Sequence, residues 1–166
     1  MRLYIFPCRV IIIVKLRKMG GCMIRRSTIQ DSEIIWKWRN DEQTRLMSFS
    51  SDLIPWESHS EWYKKALNNS NRVIYIYELG NPVAVVRFDI EDKIAEISIN
   101  VSPKHRGKGV GTMAIRESLP CIKECGVDLV IAKIKTINEP SIKCFTKVGF
   151  CLIEQNDNKI TMELKL

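Results

Sequence analysis

Asn100-Val101-Ser102-Pro103-Lys104-His105-Arg106-Gly107-Lys108-Gly109-Val110-Gly111-Thr112 runs from a strand into a helix and sets three glycines at alternate positions. Glycines let the backbone approach a ligand closely and turn successive N–H groups inward, and a helix N-terminus adds the positive end of its dipole. Lys104, His105, Arg106 and Lys108 add donors and positive charge. The segment therefore predicts a site for a polyanion, most simply a pyrophosphate. A Walker A loop does not fit, because Gly109 follows Lys108 where Ser or Thr is needed and the first glycine is missing. A dinucleotide fingerprint fails at Thr112, where its last glycine belongs, and it opens a βαβ unit, which is not the context here. The pattern Arg/Gln-x-x-Gly-x-Gly/Ala is met by Arg106, Gly109 and Gly111.

Upstream of this loop, Arg72–Leu79, Val83–Ile90 and Lys93–Val101 read as strands, with Gly80-Asn81-Pro82 and Glu91-Asp92 as turns. Nothing between them is long enough for a crossover helix, so they form an antiparallel meander. Further upstream, a strand over about Ile24–Ile29 leads to a helix through Ile34, Trp36 and Trp38, with Asp31 or Ser32 as its cap. A second helix covers Ser58–Leu67. Downstream come a helix over Gly109–Glu124, in which Pro120 predicts a kink, and Asp128–Ile134, whose apolar run predicts a strand buried on both faces. Asn138–Val148 reads as a helix, and strands over Phe150–Gln155 and Lys159–Leu164 close the chain. The expected fold is α/β (α+β), a single domain over residues 23–166 with a mixed sheet of about six to seven strands and about four helices.

Composition agrees with one soluble domain: 166 residues, 45% apolar and 27% charged. No apolar run approaches the ~20 residues a membrane helix needs, so no span is predicted. The net charge of +7 is uneven, for Arg2, Arg9, Lys15, Arg17 and Lys18 place +5 in residues 1–22 and leave about +2 for the rest. That is a poor electrostatic footprint for nucleic acid, and no nucleic-acid partner is expected. Residues 1–22 are read as a basic, apolar extension outside the fold, with Met19 and Met23 as alternative starts and a weak membrane-surface anchor as the other reading. Six cysteines without a CxxC pair, and two histidines, give no metal spacing and suggest free thiols in a reducing cytoplasm.

The loop motif combines with a second segment, Asn138-Glu139-Pro140-Ser141-Ile142-Lys143-Cys144-Phe145-Thr146-Lys147-Val148-Gly149-Phe150. Together they resemble the GNAT N-acetyltransferase superfamily, over roughly Met23–Leu166. That resemblance implies acetyl-CoA as co-substrate and no metal. It implies that Arg106, Gly107, Lys108, Gly109, Val110, Gly111 and Thr112 hold the pyrophosphate, largely through backbone N–H groups. Ile99 and Val101, on a strand splayed from its neighbour, would pair with the pantetheine arm, which Asn138, Ser141 and Phe145 would also line. Many relatives carry tyrosine where Phe145 stands, and this chain has no tyrosine in its C-terminal half to protonate the leaving thiolate.

Acetyl transfer to an amine by direct attack needs a route for one proton and no enzyme nucleophile. Strand alternation puts Glu96, Ser98 and Asn100 on one face, and Glu96 matches the position where many relatives carry a base; a hydrogen-bonding carboxylate is its other reading. All four tryptophans, Trp36, Trp38, Trp56 and Trp62, lie close together in the region that builds the family's acceptor pocket. The run from Trp36 through Arg39, Arg45 and His59 resembles GNAT enzymes of bacterial nonulosonic-acid pathways. That implies an acceptor amine on a nucleotide-linked sugar, with Arg39, Arg45, His59 and Arg87 as its contacts. The ribosomal-protein-type N-terminal acetyltransferases share a tryptophan-rich first helix and offer a peptide acceptor instead. A non-catalytic CoA-binding module is the third reading, and a homodimer is allowed.

Overall fold

Local chemistry forms the strands in pairs. β2 (Arg72–Leu79) and β3 (Pro82–Glu91) turn about Gly80-Asn81, and β3 and β4 (Ile94–Val101) turn about Asp92-Lys93, with Asp92 at φ 53°. The computed structural model describes residues 22–166, so the basic extension up to residue 21, with the alternative start Met19, lies outside the described residues. β1 (Cys22–Arg26) precedes two short helices, α1 (Ser32–Asn40) and α2 (Glu42–Met47), and the longer α3 (Trp56–Leu67). After β4 come α4 (Val110–Lys123), β5 (Leu129–Lys135), α5 (Glu139–Val148), β6 (Cys151–Gln155) and β7 (Lys159–Lys165). One sheet runs in the order β1-β2-β3-β4-β5-β7-β6, antiparallel except for β4 and β5.

That parallel pair positions the site. β4 and β5 are in register from Ile94↔Leu129 only as far as Ile97↔Ala132. Beyond it, β4 stays paired with β3 to Val101, and β5 stays paired with β7 to Lys135. The sheet therefore opens between Ser98–Val101 and Lys133–Lys135, and β4 presents main-chain groups there with no strand opposite.

Two cores flank the sheet. Tyr75, Val86, Phe88, Ile97, Ala114, Ile115 and Phe145 belong to the larger one, under α4 and α5. On the other face Ile35, Trp38, Tyr63, Ala66, Ile74, Ile76 and Val85 pack α1 and α3 onto β2 and β3. β2 and the first half of β3 are thus covered on both faces. β5, expected to be so, is covered on one: Val130, Ala132 and Ile134 are buried while Lys133 on the opposite face is exposed. The helices of that second face stop over β2 and β3 and leave β5 open.

Five α-helices are present among the described residues, one more than expected. The addition, α2, is only six residues long and is set by Asp41, whose side chain accepts from the Thr44 N–H at 3.1 Å. Asp31 does not cap α1 with its side chain. It accepts from the Thr28 N–H at 2.7 Å and receives both ends of the Arg25 guanidinium at 2.8 Å. α4 continues through Pro120, which lies on an exposed stretch where the Arg116 carbonyl left without its helical donor can reach water.

Candidate active site

The opened sheet edge, the loop after β4 and the start of α4 enclose a cleft of about 660 Å³, within the ordinary range for ligand sites. Gly107 and Gly109 adopt φ of 72° and 78°, left-handed values that side chains rarely take. With Gly109 at the N-cap of α4, the first helical bond is Met113 N–H to the Gly109 carbonyl, so the N–H groups of Val110, Gly111 and Thr112 have no intrahelical acceptor. A Cβ on Gly111 would stand 3.2 Å from Cys144 Sγ and 3.4 Å from Val101 Cγ2, so α4, α5 and β4 meet there as closely as they do because that residue is glycine. Free N–H groups at a helix start, against an unpaired strand edge, suit a long ligand with an anionic segment and an amide-bearing segment.

Of the residues expected to hold the co-substrate, Ile99, Val101, Arg106, Gly107, Gly109, Val110, Gly111, Thr112, Asn138 and Ser141 are brought together along this cleft. Two expected residues do not. Lys108 turns its ammonium back to the Lys104 carbonyl at 2.8 Å, and Phe145, 3% exposed, packs edge-on against Phe150 with ring centroids 4.9 Å apart. Helical phase explains the second case: Ser141 and Cys144 face the cleft, which turns Phe145 toward the core. Cys144, Thr44 and Met47 are wall residues that sequence reasoning missed, the last two because α2 was not foreseen.

Cys144 provides a labelling prediction. Burial pushes its thiol above the usual range, with a weak opposing contribution from the Thr112 hydroxyl 3.5 Å away. Alkylation of Cys144 by iodoacetamide is expected to slow several-fold further when CoA is added, while exposed Cys151 reacts unchanged; peptide mass mapping reads both.

Arg106 lines the cleft, but its guanidinium is engaged elsewhere. Nη2 lies 2.7 Å from both Asp41 Oδ2 and Thr44 Oγ1, Nη1 donates to Gln43 Oε1 at 3.0 Å, and Nε donates to the Val101 carbonyl at 3.3 Å. Its side chain clasps α2 to the cleft loop, and its contribution to an anion site is through the main chain. Burial would raise the Asp41 carboxyl, but the Arg106 and Thr44 bonds outweigh it and hold that carboxyl below its usual range. Thr44 also bonds Asn100 Oδ1 at 3.3 Å.

Asn100 is shared with a second, smaller cavity of about 260 Å³ between α1, α3 and strands β2 to β4. Arg39, His59, Trp62, Arg87 and Ser98 line it. Arg39 donates from Nη2 to the Ser50 carbonyl at 2.9 Å, while its Nη1 is buried without a partner among the described residues. Burial first, then the charges of Arg45 and Arg87, lower its basicity. Arg87 has its guanidinium carbon 5.9 Å from the Trp62 ring centroid, and its Nε is 3.0 Å from Asp89 Oδ2 without hydrogen-bond alignment. A small cavity that gathers two such guanidiniums suits an anion.

Arg45, expected to contact the acceptor, is turned away. It donates to the Ser51 carbonyl at 2.9 Å and the Asn40 carbonyl at 3.3 Å. Asn40 exchanges two 2.8 Å bonds with the Ile54 main chain, and Trp36 Nε1 donates to the Ile54 carbonyl at 2.7 Å. These residues brace the segment from Ser50 to Ile54 beside the cavity. Glu96 shares a face with Ser98 and Asn100 but lines neither cavity; its Oε2 lies 2.6 Å from Lys133 Nζ, with both side chains nearly half exposed. Among the described residues no cluster of His, Cys, Asp and Glu fits a metal, and no helix is long and apolar enough to cross a membrane.

A sheet split at one parallel pair, with a glycine loop and helix start at the split, is the architecture of acyl-CoA-dependent N-acyltransferases. The acetyltransferase (GNAT) family model matches residues 33–150, and the chain belongs to that family. It is similar to YwnH of Bacillus subtilis (strain 168), named for phosphinothricin acetylation, with 30% identity over 115 residues, 64% of this chain and 69% of that protein. It is also similar to the L-methionine sulfoximine/L-methionine sulfone acetyltransferase of Salmonella typhimurium, with 27% identity over 114 residues, 57% of this chain and 66% of the relative. In fold it matches YncA of Salmonella typhimurium, solved with its cofactor acetyl-CoA, at a TM-score of 0.73 and 19% identity over 88% of this chain and 94% of that one.

Proposed function

We propose that this chain transfers the acetyl group of acetyl-CoA to the primary amine of a nucleotide-linked amino sugar. The single observation that carries the acceptor class is the pair Arg39 and Arg87, two guanidiniums with N–H groups lacking aligned acceptors, in a cavity that meets the donor cleft at Asn100. Such a pair recognises a phosphate or carboxylate carried by the amine's own molecule. The cavity has room for a single sugar ring, with Trp62 offering an apolar face, and a nucleotide would lie outside it. On this reading the acceptor is a small molecule and the enzyme works in the cytoplasm.

The donor cleft supports acetyl-CoA as the partner. The N–H groups of Val110, Gly111 and Thr112 would hold the pyrophosphate, the β4 edge at Ile99 and Val101, beyond its pairing with β5, would pair with the pantetheine amides, and Asn138 and Ser141 would flank that arm. The acetyl thioester would then supply the electrophile at the opening of the sheet. Glu96 would be the carboxylate at the outer end of the β4 polar row, paired with Lys133.

A compact amino acid is the second reading, favoured by the small cavity volume and by the two relatives named for amino-acid analogues. Free-thiol release from acetyl-CoA separates the readings. A UDP-4-amino-4,6-dideoxy sugar is expected to turn over at least tenfold faster than phosphinothricin, methionine sulfoximine, spermidine or an N-terminal peptide. Preference for the amino-acid analogues would replace the sugar with the second reading, and preference for the peptide would sink both.

A further inference from the structure

An acceptor amine enters protonated at neutral pH and must lose a proton before it can attack. We propose that His59 is the group that takes that proton, an assignment that rests on the smaller cavity being the acceptor site. Among the described residues, the cavity wall contains no carboxylate. Its titratable side chains are Arg39, His59, Tyr63 and Arg87. The guanidiniums keep their protons, and the Tyr63 hydroxyl is bound to Ser27 and to the Thr28 carbonyl 3.0 Å away. Burial pushes that hydroxyl up to about 12, so it too stays protonated.

The geometry of His59 selects one nitrogen. The ring is buried in α3, 5.9 Å from the Trp56 centroid, 5.7 Å from Trp62 and 5.6 Å from Tyr63. Nε2 lies 2.9 Å from the main-chain carbonyl of Ser32, and a carbonyl only accepts, so Nε2 carries the hydrogen. Nδ1 is left with the lone pair, on a residue that lines the cavity. Burial holds the imidazole below its ordinary 6.5, with the Ser32 bond opposing, so it is neutral and able to accept at pH 7.

The charges around His59 suit this role. Arg39 comes from α1 and Arg87 from β3, while Asp31, beside Ser32, is tied to Arg25 and Thr28. Glu57 and Glu61 of its own helix are exposed and two residues away along the chain. Passing a proton from the ammonium to the imidazole leaves the cavity's net charge unchanged, so the guanidiniums do not oppose it. The freed nitrogen lone pair forms the C–N bond to the thioester carbonyl carbon as the C–S bond breaks. The second N–H proton leaves with the thiolate, and the imidazolium returns its own to water. Amide, thiol and one proton are released, which balances the reaction.

His59→Gln retains a donor for the Ser32 carbonyl and removes the base. With the UDP-4-amino-4,6-dideoxy sugar at pH 7, kcat/KM is expected to fall about 10²–10⁴-fold. The acidic limb set by the imidazole, below 6.5, disappears and is replaced by a continuous climb through neutral and alkaline pH as the amine loses its own proton. KM for acetyl-CoA stays within twofold. A variant within threefold of the parent that keeps its acidic limb overturns the proposal, as does loss of that limb in Glu96→Gln instead. Slow hydrolysis of acetyl-CoA without any acceptor gives an independent readout, because water then occupies the cavity and needs the same base. If no acceptor in the panel turns over but hydrolysis still falls in His59→Gln, the acceptor reading fails and the base stands. If hydrolysis is unchanged, the base fails. Should the variant not fold, ¹⁵N imidazole resonances of the unaltered protein decide: an Nε2–H tautomer at pH 7 is expected, and an Nδ1–H tautomer or a cation overturns it.

Discussion

A Gly111→Val variant is expected to lose all thermal protection by acetyl-CoA. The unaltered protein, at a ligand concentration about 100 times Kd, gains roughly 2.7 kcal/mol, or about 5–10 °C in melting temperature for a domain of this size. Even a methyl at residue 111 would meet Cys144 Sγ at 3.2 Å and Val101 Cγ2 at 3.4 Å, and valine adds two more carbons to that junction. The start of α4 must then move away from β4, and the N–H groups of Val110 and Thr112 move with it. Differential scanning fluorimetry with and without acetyl-CoA measures the effect. Protection equal to the parent's would mean that the ligand is not held at this helix start.

The second large effect is at Arg39. Arg39→Met is expected to raise KM for the acceptor roughly 10–100-fold while kcat changes little, since a hydrogen bond to a charged group contributes about 1.5–3 kcal/mol. Methionine fills the channel of the arginine stem but offers nothing to an anion. Stability should change little, because losing the bond to the Ser50 carbonyl is offset by removing a buried Nη1 that has no acceptor and lies in the field of Arg45 and Arg87. Initial-rate kinetics at saturating acetyl-CoA separate the two constants. A fall in kcat at constant KM would mean that Arg39 acts on the reacting atoms rather than on the acceptor's anion.

Much of this site could be read from the sequence because the chemistry is local. The Arg106-to-Thr112 loop announces its own conformation through glycines that take left-handed φ values, and Asn138 announces the start of α5 by accepting from the Ser141 N–H at 3.2 Å. The meander was equally legible, since its turns lie within a few residues of the strands they join. Destinations of long side chains were not. Arg106, Arg45 and Lys108 each find carbonyls or carboxylates supplied by the fold, and no spacing in the sequence states which acceptor is nearest. The extent to which α1 and α3 cover the sheet was also hidden, and with it the exposed face of β5. His59 could be nominated as a contact, but its tautomer depends on a carbonyl 27 residues away in the chain.

The Arg106 clasp joins the donor loop to α2, and through Thr44 to Asn100, the residue that walls both cavities. A ligand that settles the loop therefore also settles one side of the neighbouring chamber. Any cooperativity between the two substrates that passes through this joint is reciprocal: the factor by which donor tightens acceptor equals the factor by which acceptor tightens donor. Thr44→Val, which removes the hydroxyl that joins Arg106 to Asn100, would weaken the coupling between the two affinities.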